Sequence, residues 1–386
     1  MEDIHRRNFI KDTATAAAGI MLLPSLADAY PGNKITYESA VNAPVKQIET
    51  KIKFSVIGIN HSHIYGMVGA VIKGGGQLVS FYAKEADLAA EFTKKFPQAK
   101  LARGENEILE DPSIQLVLSS GIPVERAPLG VRVMQHGKDY LVDKPGIITL
   151  EQFAEVRRVQ AATKRIYSIM YSERFESKAT VKAGELVKAG AIGKVIQTIN
   201  IAPHKMSPKT RPEWYFDIKY CGGILTDIGS HQFDQYLYFT GTTKAEVVAS
   251  QVGNVNHPQY PKIQDFGDVM LRGNGGMGYI RLDWFTPDAI PTFGDGRLTI
   301  LGTDGYIEVR KTIDIAGRPG GDHLFLANQK EIKYFDCSKD YLPFGEQLVN
   351  DVVNRTETAM PQEHCFLATE LALLAQKNAQ HISLQL

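Results

Sequence analysis

Cysteine, tryptophan and net charge are all scarce in this chain. Its 386 residues hold 3 cysteines and 2 tryptophans, and 43 Lys plus Arg balance 43 Asp plus Glu. Cys221, Cys337 and Cys365 are far apart, so no CxxC metal or redox motif exists. They read as free thiols in partly buried sites, with a Cys337–Cys365 bridge conceivable in an oxidising compartment. Zero net charge disfavours a general nucleic-acid or acidic-membrane partner. No internal repeat and no low-complexity tract interrupts the chain. The longest apolar stretch, near the N-terminus, is too short to span a bilayer.

What is present is an ordinary globular composition with abundant glycine. Hydrophobic residues make up 44%, charged residues 22%, and there are 34 glycines. That suits an α/β chain with many tight strand–helix turns, and the length favours two domains. The first 29 residues read as an address. Arg6-Arg7, Phe9 and Lys11 precede the apolar stretch Ala14–Leu23, then Pro24 and Ala27-Asp28-Ala29. This resembles a twin-arginine export signal cut after Ala29, which predicts a periplasmic protein with no membrane contact after cleavage. Residues 30–50 lack periodicity and read as an extended arm.

From residue 51 to 173 strand and helix patterns alternate. Lys53–Ile59, Gln77–Ala83, Ile114–Ser120, Asp139–Val142 and Ile166–Tyr171 are short apolar strands, separated by helical segments near 62–73, 86–96, 125–136 and 150–163. This predicts a Rossmann-type doubly wound parallel sheet. After residue 174 the pattern changes. Helices are expected at 179–189 and 224–239, then longer alternating strands at 194–202, 244–252, 265–272, 276–284, 297–302 and 306–310, and two final helices at 343–354 and 362–379. The fold class expected is therefore α/β: a Rossmann domain followed by an α+β domain (174–386) with an open, mostly antiparallel sheet for substrate binding and oligomerisation.

Three clusters carry chemistry. The first is the turn Gly58-Ile59-Asn60-His61-Ser62-His63. A dinucleotide turn reads G-x-G-x-x-G, and only Gly58 of those glycines is kept. Backbone N–H groups with Asn60 and Ser62 side chains could replace the lost approach. His61 and His63 form a His-x-His pair, but no third ligand sits nearby in sequence. Contact with cofactor or substrate is expected of them, and no metal. The second cluster is Asp143-Lys144-Pro145 after the strand at 139–142. A lysine at a strand's carboxyl end can hydrogen-bond or deprotonate a substrate hydroxyl, or can be a solvated turn lysine. The third is Gly222-Gly223-Ile-Leu-Thr-Asp227-Ile-Gly-Ser-His231-Gln-Phe-Asp234. On a helix Asp227 and His231 lie four apart on one face, where the carboxylate would orient the imidazole as a base. The alternative is a core Asp–His hydrogen bond.

These motifs, with Ser172-Glu173-Arg174-Phe175 and Gly190-Ala-Ile-Gly193-Lys-Val between them, resemble the glucose-fructose oxidoreductase/inositol dehydrogenase (Gfo/Idh/MocA) family. Gly137–Pro145 is similar to that family's G-K-H-V-x-x-E-K-P and Gly222–Asp234 to its G-G-x-x-x-D-x-G-x-H-x-x-D. The resemblance implies hydride transfer between a sugar or polyol carbon and NAD or NADP, with Lys144, Asp227 and His231 at the reacting centre. The expected cofactor contacts are Gly58, Asn60, His61, Ser62, His63, Lys84, Ser120, Asp143 and Lys144. An acidic residue normally ending the second strand is replaced by Ala83 with Lys84 after it, which leans toward NADP or loose choice. Arg126 stands where the family has the histidine of P-N-x-x-H. An exported enzyme must load its dinucleotide in the cytoplasm and keep it, so tight binding is expected. Family analogy implies a homo-dimer or homo-tetramer. Two other functions fit the same residues: a redox-neutral glycosidase or lyase acting through transient sugar oxidation, and a binding protein with a decayed cofactor turn.

Overall fold

Strands buried on both faces are what a parallel sheet requires, and the first half of the chain supplies them. The computed structural model describes residues 50–383. The export signal and its cleavage point, and all but the last residue of the expected arm, lie outside the described residues. Strands β1 (Ile52–Ile57), β2 (Gly76–Tyr82), β3 (Lys100–Leu101), β4 (Leu116–Ser119), β5 (Asp139–Asp143) and β6 (Tyr167–Met170) form one six-stranded sheet in the order β3-β2-β1-β4-β5-β6. Every pairing in it is parallel. β4, β5 and β6 are buried along their whole length, as their apolar runs predict. Helices α1 (His63–Lys73), α2 (Ala86–Lys95), α3 (Glu105–Leu109), α4 (Pro123–Gln135) and α5 (Leu150–Thr163) lie between the strands. The strand order reverses between β1 and β4, so the crevice at their carboxyl ends is the place where such sheets bind ligands.

Two short helices, α6 (Ser172–Phe175) and α7 (Lys178–Lys188), lead into a second, nine-stranded open sheet. Its strands are β7 (Val195–Pro203), β8 (Ala245–Gly253), β9 (Phe266–Gly273), β10 (Met277–Asp283), β11 (Arg297–Gly302), β12 (Gly305–Arg310), β13 (His323–Asn328), β14 (Ile332–Asp336) and β15 (Gln380–His381), ordered β14-β13-β12-β11-β7-β10-β9-β8-β15. The sheet is mixed: β7–β10 and β8–β15 are parallel and the other pairings antiparallel. Between β7 and β8 run α8 (Ile218–Cys221), α9 (Ile224–Asp227) and α10 (Gly229–Thr240). The chain ends with α11 (Phe344–Asn354) and α12 (Gln362–Asn378), before β15.

The sequence expectation and the structure part at one helix and at several strands. The helix expected over 224–239 is two, because its hydrogen-bond ladder is interrupted at Ile228. The Ser230 hydroxyl donates to the Asp227 carbonyl at 2.9 Å, and the His231 N–H bonds three residues back to Ile228 instead. Strands β3, β13, β14 and β15 were not expected; β3 and β15 have two residues each and β14 is exposed along nearly all its length, so these three show no period. The three cysteines are buried free thiols, as the sequence reading expects, and no Cys337–Cys365 bridge forms.

The final helices return to the first sheet, although the sequence boundary at 173 assigns them to the second domain. α11 packs on α1, and α12 packs on α5, β6, α9, α10 and β8. β6 is the edge of its sheet, and Gln362 occupies that edge: its side chain accepts from the Tyr167 N–H and donates to the Tyr167 carbonyl, each at 2.9 Å. One continuous apolar core therefore runs from Val56 and Val142 in the first sheet through Phe366 to Val269 and Ile280 in the second.

Candidate active site

The turn after β1 is built for close approach. Gly58 has φ 78°, and a Cβ there would lie 3.1 Å from the Cα of Gly121 after β4. The two turns are also stitched by hydrogen bonds: His61 N–H to the Ser120 carbonyl at 3.0 Å, and Ser120 Oγ to the His61 carbonyl at 2.7 Å. Ser120 thus spends its hydroxyl on holding the turn. Ser62 sits exposed at the N-cap of α1 and makes no side-chain cap bond.

Beside this turn lies a cavity of 320 Å³ at the carboxyl ends of β1, β2 and β4, with Gly58, Asn60, Tyr82, Lys84, Glu85 and Arg126 among its lining residues. The carboxylate that sequence reading found missing from the second strand is supplied by Glu85, two residues past Ala83. Asn60 Nδ2 donates to Glu85 Oε1 at 2.8 Å, which ties that carboxylate to the turn. Lys84 is drawn away to Glu125, Nζ to Oε1 3.0 Å. A dinucleotide fits here: glycine where backbones meet, a cavity at the strand-order reversal, and a carboxylate where ribose hydroxyls would lie.

Asp143 is placed differently from expectation. It is completely buried, and both oxygens are engaged: Oδ1 by His63 Nδ1 at 2.9 Å, Oδ2 by His61 Nδ1 at 2.9 Å and by Arg126 at 3.1 Å. Such a carboxylate anchors its neighbours. Burial opposes its charge, but the two imidazoles and the Arg126 guanidinium outweigh that and hold its carboxyl well below the usual range. Burial pushes the His61 imidazole down to about 4, against the pull of Asp143.

Arg126 is the residue sequence reading undervalued. Its guanidinium is buried and also donates to the carbonyls of Gly121 (2.7 Å), Asp143 (3.1 Å), Lys144 (2.5 Å) and Pro145 (3.2 Å). The last three carbonyls belong to the turn around the cis Lys144–Pro145 bond, so Arg126 sets the direction in which Lys144 leaves β5.

Lys144 is 8% exposed and donates to Asp227 Oδ1 at 2.9 Å. Tyr215 OH donates to the other oxygen, Oδ2, also at 2.9 Å. Burial works against the Asp227 charge, and the Lys144 ammonium with these two hydrogen bonds overcomes it, so the carboxyl lies below its ordinary value. With both oxygens taken, the expected Asp227–His231 bond does not form. The His231 ring is buried, its Nδ1 has no hydrogen-bond partner among the described residues, and burial pushes its proton affinity down to about 3. The acid that most opposes this fall is Glu173. Glu173 pairs with Lys311 and accepts from Gln232 Nε2 at 2.8 Å, and Lys311 donates to Gln235 at 2.8 Å. Lys144, Asp227, Tyr215 and His231 thus gather where β5 and the α9–α10 segment meet, with a neutral imidazole beside a charged amine. Nothing in the sequence pattern marked Tyr215 or Lys311. Asp234, the last residue of the third motif, is structural: Arg174 grips it with two bonds of 2.7 Å and His364 with one of 2.8 Å.

Residues 180–308 match the GFO/IDH/MocA C-terminal domain. The chain is 26% identical over 211 residues to scyllo-inositol 2-dehydrogenase (NADP(+)) IolW of Bacillus subtilis, covering 52% of this chain and 54% of that protein. It is 24% identical over 269 residues to scyllo-inositol 2-dehydrogenase (NAD(+)) of the same organism, covering 67% and 74%. A solved structure from Erwinia carotovora atroseptica, classed as a candidate oxidoreductase, superposes with a TM-score of 0.84 at 44% identity, over 86% of this chain and 99% of that one. Levoglucosan dehydrogenase in complex with NADH and levoglucosan shares the fold, with a TM-score of 0.71 at 16% identity over 84% and 97%. On this sequence match residues 180–308 form a Gfo/Idh/MocA C-terminal domain, and over 86% of its length the chain is related to a candidate oxidoreductase.

Proposed function

We propose that this chain moves a hydride between a nicotinamide dinucleotide and a hydroxyl-bearing carbon of a sugar or polyol. The observation that carries the reading is the Lys144–Asp227–Tyr215 chain of hydrogen bonds beside the neutral His231, at the carboxyl end of β5. Bound in the crevice, the dinucleotide supplies the hydride acceptor or donor. The protein then has to handle one proton. In the oxidative direction the hydrogen on the substrate carbon leaves as hydride with the C–H electron pair while the hydroxyl proton passes to the protein. His231 is uncharged, so its ring can take that proton, and the Glu173 carboxylate offsets part of the burial that makes it a weak base. Lys144, held by Asp227, donates a hydrogen bond to the same oxygen and steadies it.

Glu85 favours NAD within this reading. Its carboxylate would accept from ribose hydroxyls and repel a 2′-phosphate, while Lys84 is occupied by Glu125. Export through a twin-arginine route with the dinucleotide already held belongs to the same proposal, supported by the motif at Arg6-Arg7 and the A-x-A site ending at Ala29.

The deciding experiment starts with protein purified from cytoplasm, denatured, and searched by absorbance and mass for released dinucleotide. Lys144→Ala and His231→Ala are each expected to lower turnover of a polyol or sugar panel by about 10²–10⁴-fold while dinucleotide stays bound. Turnover near the parent level in either variant rejects that residue's role. Cleavage of aryl glycosides without net reduction of dinucleotide would assign the redox-neutral alternative.

A further inference from the structure

His61 and His63 are one residue apart, on the turn and at the first position of α1, and their sequence surroundings contain no third ligand. Folding supplies one. Asp143, from the end of β5, sits between them with one oxygen 2.9 Å from each Nδ1. The rings meet nearly edge to face, with centroids 4.1 Å apart and planes at 73°, so both nitrogens converge on the same carboxylate from different sides. The donor atoms of the three residues all lie within 4.8 Å of one another. Two donors bound to one cation at about 2.1 Å are roughly 3 to 3.4 Å apart for right-angle to tetrahedral coordination. Each N···O separation is close to that length and the three donor atoms stay within 4.8 Å of one another, so a cation requires the side chains to close around it.

We propose that His61, His63 and Asp143 form a binding site for a divalent first-row transition metal ion. The donor set selects the class. Two imidazoles and one carboxylate suit zinc, cobalt or iron, whereas calcium and magnesium require more oxygen donors. Proton balance is simple: each neutral imidazole carries one proton, which moves from Nδ1 to Nε2 as the metal takes the Nδ1 lone pair. The site is reachable, because the His61 and His63 side chains are 26% and 37% exposed. Arg126 remains bonded to Asp143 Oδ2 at 3.1 Å and shares its charge. The metal is therefore held more weakly than in a closed structural zinc site, with open positions facing solvent. The inference does not rest on the oxidoreductase reading, since neither substrate nor dinucleotide takes part in its test.

The test uses the full chain, stripped with a chelator and titrated with Co²⁺ by visible absorption and with Zn²⁺ by calorimetry. The expected result is one equivalent bound, with His61→Ala and His63→Ala each at least about tenfold weaker. His257→Ala removes an imidazole of similar setting, Nδ1 to Asp265 at 2.8 Å, and is expected to bind as the parent does. X-ray absorption of the parent protein loaded with one Zn²⁺ should show two imidazole shells, a readout that does not depend on the folding of any variant. Absence of stoichiometric binding overturns the proposal. So does binding that His61→Ala and His63→Ala leave unchanged, or a loaded spectrum without imidazole scattering.

Discussion

At the scale of single residues, the site is governed by which carboxylate each cation finds. Asp227 serves Lys144 and Tyr215, Asp143 serves two histidines and Arg126, and Asp234 serves Arg174 and His364. Tyr215→Phe removes one of the two bonds that orient Asp227. A hydrogen bond to a charged, buried group is worth about 1.5–3 kcal/mol, so turnover should fall on the order of ten- to a hundredfold, measured as kcat with dinucleotide saturating. Unchanged kcat would remove Tyr215 from the site. Asp234 offers a pH test away from the chemistry. Burial raises its proton affinity, but Arg174 and the bond from His364 outweigh burial and leave the folded carboxyl below its unfolded value. A depressed acid contributes stability that is present above the unfolded value near pH 4 and is lost as pH falls through the folded one. Asp234→Asn should cost about 3–5 kcal/mol at pH 7, because it leaves a buried guanidinium unpaired. That gap should narrow in urea melts below about pH 4. The identities of Lys144, Asp227 and His231 were legible from motif order. Their pairing was not, since helical spacing alone suggested an Asp227–His231 bond that Tyr215 and Lys144 pre-empt.

Among elements, legibility followed burial. β4, β5 and β6 are wholly buried, so their apolar runs marked them in sequence. β14 is exposed along nearly all its length and β3 has only two residues, so neither had a pattern to read. The helix break at Ile228 depends on a serine hydroxyl competing for one carbonyl, which periodicity cannot register. Contact between α1 and α11 depends on two glycines, Gly74 and Gly345. A Cβ on Gly345 would lie 2.0 Å from the Ala70 carbonyl oxygen, and one on Gly74 would lie 2.2 Å from the Gly345 carbonyl oxygen. Gly345→Ala must push the helices apart, at an expected cost of about 1–3 kcal/mol. A thermal melt equal to the parent's would show that the contact yields without cost.

For the molecule as a whole, the two sheets share one core because α12 packs on both. The outer face of the second sheet carries exposed Met270, Met277, Leu301 and Tyr306. We propose that this face pairs with a second copy. Met270→Glu should then shift the mass in solution toward the monomer, read by light scattering, and a parent that is already monomeric rejects the pairing. What the sequence alone determined is the architecture: alternation of buried strands and helices is a local pattern, and local patterns survive being read one window at a time. What only the tertiary structure decided is the partner of each polar side chain. Lys144 and Asp227 are 83 positions apart, and His61 and Asp143 are 82 apart. A buried charge takes whichever partner folding brings within hydrogen-bond reach, and that choice is made by packing across the crevice and by no spacing along the chain.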